Sequence, residues 1–213
     1  MTESIYHINN LVHTIIGSIA LLGALGALMS VKGSARHKTA GRVFVWFILF
    51  SAVTSFYPTF YKFSEIGPLA LILAMATIYL VITAVIAVRY QTAEPLMIEK
   101  CLPVVPLLLL ILPVIRVFLA IKTNNFDIFF GPLLLASLFI YLLVQDLAIL
   151  VNRQRSREFW IQRHLTRIIF AFSIGVMAVV RIGVNFGLTF EMSVILPLLG
   201  ALGLVVFFRW RIA

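Results

Sequence analysis

The segment NNLVHTIIGSIALLGALGALMSVKGSARHKTAGRVFVWFILFSAVTS, residues 9–55, decides the fold. From Ile5 to Val31 no residue is charged. That run is longer than the roughly 20 apolar residues an α-helix needs to cross a bilayer. Lys32, Arg36, Lys38 and Arg42 then follow within a short turn, before a second apolar run begins. Clustered Lys and Arg hold a turn in the cytoplasm. The segment therefore reads as a helical hairpin, closed on its inner side, and the chain as an all-α polytopic membrane helix bundle.

The rest of the 213 residues fits this class. Hydrophobic residues make up 62% and charged residues 12%, against about 25% charged in soluble domains. A single bundle spanning residues 1–213 is expected, with no room for a sizeable soluble domain. The net charge of +9 could point to nucleic acid. The basic residues fall at the ends of apolar runs, however, which points to topology and to anionic lipid head groups instead. The first apolar run is too long for a signal-peptide core and lacks a basic leader, so it is expected to be a retained helix. The single cysteine, Cys101, excludes an internal disulfide.

Seven spans are expected, at about residues 9–30, 39–58, 66–88, 102–121, 129–151, 162–186 and 192–208. With the N-terminus outside, the inner segments hold Lys32, Arg36, Lys38, Arg42, Arg89, Lys100, Arg153, Arg155, Arg157, Arg163, Arg167, Arg209 and Arg211, and the outer ones only Lys62 and Lys122. This asymmetry predicts an N-out/C-in protein of a bacterial inner membrane. Asn9, His13, Gly17, Ala20 and Ala24 share one helical face, and small residues let membrane helices approach closely. The first, second and sixth spans are therefore expected at the centre, with His13 turned inward. Pro113 should bend the fourth span.

Ionisable residues inside a span are candidates for function. Towards the outer side these are His13, Arg116 and Arg181, with Asn185 one turn beyond Arg181. They are expected to line a cavity for a small anionic or amphipathic ligand. The alternative is that both arginines snorkel to head groups and His13 is an ordinary packed histidine. Near the inner face lie His37, His164, Cys101, Glu99 and Asp146. His37 and His164 are candidates for ligating a b-type haem or another metal, against the alternative of interfacial histidines with no ligand. No two histidines stand on one helix at ligand spacing. Asp146 is expected to pair with an inner-loop arginine, because an unpaired carboxylate there would be costly. The chain has no phosphate-binding glycine loop, no readable Ser/His/Asp set and no lysine in the last span for a Schiff base.

Two clusters resemble a known pattern. His13-x-x-x-Gly17 with Arg36–His37-x-x-x-Gly41–Arg42–Val43, and later Arg163–His164-x-x-Arg167 with Arg181, are similar to a bacterial membrane family, domain of unknown function 2306. The chain differs in having Arg36–His37–Lys38 where that family has His-Arg, and in placing Arg163 before His164. The resemblance implies no particular activity. It directs attention to His13, His37, His164 and Arg181. Three functions follow as expectations: a ligand-binding bundle, a haem- or quinone-linked redox protein using His37 and His164, and a non-catalytic assembly subunit.

Overall fold

The computed structural model describes residues 2–61, 67–89, 97–126, 129–151, 156–180 and 188–212. All regular structure among them is helical: α1 (Thr2–Met29), α2 (Ala35–Thr54), α3 (Phe56–Tyr61), α4 (Gly67–Arg89), α5 (Met97–Cys101), α6 (Val104–Lys122), α7 (Phe130–Val151), α8 (Arg157–Ala178) and α9 (Phe190–Ile212). Six stretches are long and apolar enough to cross a membrane: Glu3–Met29, Ala35–Tyr61, Gly67–Arg89, Met97–Lys122, Phe130–Val151 and Met192–Trp210. The 22-residue α8 has the length, but Arg157, Glu158, Arg163 and Arg167 in its first half lower its hydropathy.

Local chemistry sets the boundaries. Gly33 adopts φ +80° in the turn between α1 and α2, a conformation glycine accepts without a steric cost. Ser34 caps α2 by accepting a hydrogen bond from the His37 backbone N–H at 3.2 Å. Ser156 does the same for α8 through Phe159 at 3.2 Å. These side chains satisfy amide donors that a helix start leaves unpaired. Lys32 closes the end of α1 by donating to the Leu28 carbonyl at 2.8 Å and lies over the Phe208 ring at 4.7 Å. Partial burial there lowers its ammonium pKa below the usual lysine value.

The expected small-residue face of α1 packs on α2. Asn9 donates to the Thr54 carbonyl at 3.0 Å, and His13 Nδ1 lies 2.9 Å from the Ser51 carbonyl. At Gly23 an added Cβ would stand 2.9 Å from the Phe44 backbone nitrogen. A side chain there would meet backbone, which cannot rotate away.

The centre of the bundle differs in part from the expected one. The expected sixth span, α8, is central, but its partner at the centre is α4, with 61% of its span buried, rather than α1, with 17%. The α4 helix packs on α2, α3, α6 and α8, and α8 also packs on α1 and α9. Buried Ala74, Ala76, Thr77, Thr83, Ala84 and Ala87 let neighbours approach α4 on several sides. Thr77 and Thr83 donate to carbonyls one turn back, Leu73 and Tyr79, at 2.8 and 2.7 Å, so these hydroxyls need no outside partner. The glycines of α1 serve chiefly the hairpin: Gly17, Gly23 and Gly26 all face α2, at Ser51, Phe44 and Ala40. They therefore seat that hairpin at the side of the bundle. The apolar core runs through Phe44, Leu80, Val81, Phe139, Leu142, Phe170 and Leu198.

Candidate functional site

The most polar part of the interior lies where α4, α5, α7 and α8 meet. Arg163 and Arg167 are one turn apart on α8, and both are fully buried. Arg163 donates through Nη1 to Glu99 Oε1 and through Nη2 to Asp146 Oδ1, each at 2.9 Å. Arg167 donates through Nη2 to the same Asp146 oxygen at 2.5 Å and through Nη1 to the Tyr79 hydroxyl at 3.1 Å. Tyr79 in turn donates to Asp146 Oδ2. Glu99 and Asp146 are each 1% exposed. The Arg163 guanidinium lies 5.7 Å from the Trp160 ring centre, and that of Arg167 lies 5.3 Å from the Tyr79 ring centre, within the range of cation–π attraction. Two guanidiniums thus face two carboxylates, and the cluster is neutral with all four ionised. That balance is what lets four charges leave water, since an unpaired buried charge is far more costly than a matched one.

A second polar group lies on the other side of α8. Arg209, near the end of α9, donates through Nη2 to the Tyr141 hydroxyl at 2.6 Å and to Thr166 Oγ1 at 3.0 Å. Gln145 Nε2 donates to Tyr141 at 2.7 Å. Among the described residues Arg209 has no carboxylate partner. Asp146 and Glu99 are already engaged by the other two arginines. Arg209 Nε and Gln145 Oε1 are buried with no hydrogen-bond partner. Exchanging the amide nitrogen and oxygen of Gln145 would only move the orphan from acceptor to donor.

Arg209, Tyr141 and Thr166 form the polar end of a cavity of about 310 Å³ between α7, α8 and α9. Leu138, Phe170, Leu198 and Val205 make its buried floor, and Leu202 and Val206 its exposed rim. An apolar slot ending in an uncompensated guanidinium suits an elongated molecule with an anionic head.

The residues singled out from sequence are distributed as follows. His13 is half-buried against α2, within reach of the Ser51 carbonyl and of Thr54 Oγ1 at 3.1 Å. Arg116 is exposed on α6, a helix packed against α7 and α4, so it does not share a site with His13. Arg181 and Asn185 lie outside the described residues. His37 Nδ1 is 2.9 Å from the Ala27 carbonyl, and His164 Nδ1 is 2.9 Å from the Ala84 carbonyl. Among the described residues no three His, Cys, Asp or Glu side chains gather as a metal would require.

Asp146 meets arginines, as expected, but they are not loop residues. Because Ser156 starts α8 at Arg157, Arg163 and Arg167 lie about two and three turns inside that helix. Their spacing of four, following a serine cap, was the available signal. Arg209, Tyr141 and Thr166 carried none, since a terminal arginine and scattered hydroxyls are common in any membrane helix. No protein-family profile, no curated protein and no solved structure matches this chain.

Proposed function

We propose that this chain is a seven-span, N-out/C-in protein of a bacterial inner membrane that binds a small amphipathic anion in the cavity between α7, α8 and α9. Counting α8 as a span follows from the neutrality of its buried charges: Arg163 and Arg167 are matched by Asp146 and Glu99, which removes the main objection to placing them in a membrane. With these two arginines assigned to α8, eleven basic residues remain on the inner segments against Lys62 and Lys122 on the outer ones, a split that still supports the orientation. Membership in the family of domain of unknown function 2306 is part of the proposal, supported by the two motif clusters. Gly17 of the first lies in the α1–α2 contact, 3.2 Å from Ser51 Oγ if given a Cβ, and Arg167 of the second belongs to the ionic cluster.

The observation that carries the binding reading is Arg209, which ends an apolar slot and has no carboxylate partner among the described residues; its Nε is buried without a hydrogen-bond partner, as are those of Arg163 and Arg167. An anion there would supply the missing acceptor and the missing charge. This inner cavity supports the reading better than the outer set of His13, Arg116, Arg181 and Asn185, whose described members lie apart. Extraction and mass spectrometry of protein purified in a mild detergent test it. Wild type should retain an anionic amphiphile through extensive washing, and Arg209→Gln should lose most of it. Wild-type protein free of any such molecule would end the proposal.

A second reading is favoured by one observation. The Nδ1 atoms of His37 and His164 both point at backbone carbonyls, which fixes Nδ1 as the donor and leaves Nε2 as the coordinating nitrogen. This is the arrangement in which metal-bound histidines are held. A Soret band, or stoichiometric metal, in protein from haem- and metal-replete cells would support a redox role. Absence of both would remove it.

A further inference from the structure

We propose that the occupant of the α7–α8–α9 cavity is a single acyl chain of an anionic glycerophospholipid from the inner leaflet, with its phosphate on Arg209. This inference rests on the preceding reading of the cavity as a site for an amphipathic anion. It adds the class of ligand and its route of entry.

Shape supports one chain rather than two. A volume of about 310 Å³ is at the lower end of ligand sites, which run from roughly 300 to 1,000 Å³. The α9 part of the lining runs from Leu198 to Arg209. At 1.5 Å rise per residue that is on the order of 16 Å, the scale of one extended acyl chain. The second chain would remain in the bilayer.

Access supports a bilayer lipid. The rim residues Leu202 and Val206 are 43% and 67% exposed, while the floor residues Leu198 and Val205 are 2% and 6% exposed. The slot therefore opens sideways, toward the acyl region, and a chain can slip in without leaving apolar surroundings. Trp210 beside Arg209 is 80% exposed, as aromatics at the head-group level commonly are. That places the guanidinium at the depth of lipid phosphates.

Charge supports an anionic head. Among the described residues no carboxylate lines the cavity, so none is available there to a choline or an ethanolamine. A lipid with net negative charge is favoured over a zwitterionic one, as in other basic pockets between membrane helices on the cytoplasmic side.

The test uses the full chain in lipid nanodiscs, with thermal unfolding as readout. Three compositions are compared: phosphatidylcholine alone, phosphatidylcholine with phosphatidylglycerol, and phosphatidylcholine with free oleate. Phosphatidylglycerol should raise the melting temperature of wild type by about 5 °C, and Arg209→Gln should lose most of that rise. Val206→Trp fills the mouth without changing charge and should also lose it, which covers the case in which the arginine variant folds poorly. Stabilisation by oleate but not by phosphatidylglycerol overturns the phospholipid assignment and leaves the amphiphile site standing. No effect of either lipid overturns both. An equal rise in wild type and in both variants means the head group binds the basic loops, and it also overturns the inference.

Discussion

Asp146 accepts hydrogen bonds from Arg163, Arg167 and Tyr79, so its charge is shared by three partners. In Asp146→Asn, two buried guanidiniums face the single carboxylate of Glu99. Breaking a buried ion pair in this way costs about 3–5 kcal/mol. The expected result is a large loss of thermal stability in mild detergent. Adding Arg167→Met should recover much of it, because the charge balance returns. A double variant no more stable than Asp146→Asn alone would contradict the role given to neutrality. Tyr79→Phe removes one hydroxyl from the same cluster and should cost about 1–2 kcal/mol. Glycines offer a contrast of another kind. Gly23→Val drives a side chain into the backbone of α2, at a cost of about 1–3 kcal/mol. At Gly200, inside α9, an added Cβ meets nothing within 4 Å, so Gly200→Ala should be tolerated and should stabilise by about 0.5–1 kcal/mol through helix propensity. Which glycine matters could not be read from the sequence, where Gly17, Gly23 and Gly26 look alike.

At the scale of the element, α8 is the helix whose status matters most. By hydropathy it fails as a span; by length and by the pairing of its charges it qualifies. The two views differ on where Thr189, just before α9, is exposed. If α8 crosses the membrane, Thr189→Cys on a Cys101→Ser background reacts with a membrane-impermeant maleimide added to intact spheroplasts, as Thr123→Cys does. If it does not cross, Thr189→Cys reacts only after permeabilisation. Gly33→Cys should require permeabilisation in either case and serves as the control. Counting α8 as a span was possible from sequence because its second half is apolar. Its start at Arg157 was less legible, since four charges in the opening turns read equally well as a loop.

At the scale of the whole molecule, the basic residues are the basis for the proposed sidedness, and Asp146 and Glu99 pair the buried arginines of the interior. If seven helices cross the membrane, as proposed, the termini lie on opposite sides. Fusion of green fluorescent protein after Ala213 should fluoresce, and fusion of alkaline phosphatase at the same point should be inactive. The reverse pattern would refute N-out/C-in. The central position of α4, and the placing of the α1–α2 hairpin at the side, follow from how many neighbours each helix serves. The glycines of α1 lie on one stripe that faces α2, while the small buried residues of α4 are distributed around the helix. A stripe in sequence shows that a contact exists. It does not show how deep in the bundle the contact lies.

The amino-acid sequence alone determined the all-helical class, six apolar stretches of membrane-spanning length and the clustering of basic residues at the ends of apolar runs. Each of these depends on residues close together along the chain: a run of apolar side chains, a cluster of cations at its end, a serine before a helix. Only the tertiary structure decided which charges meet. Glu99 and Arg163 are separated by 64 positions, and Tyr79 and Arg167 by 88. Among the described residues it likewise left Arg209 without a carboxylate partner, while Asp146 and Glu99 pair with two other arginines. Pairing of this kind depends on how helices pack side by side, and no local pattern along the chain encodes it.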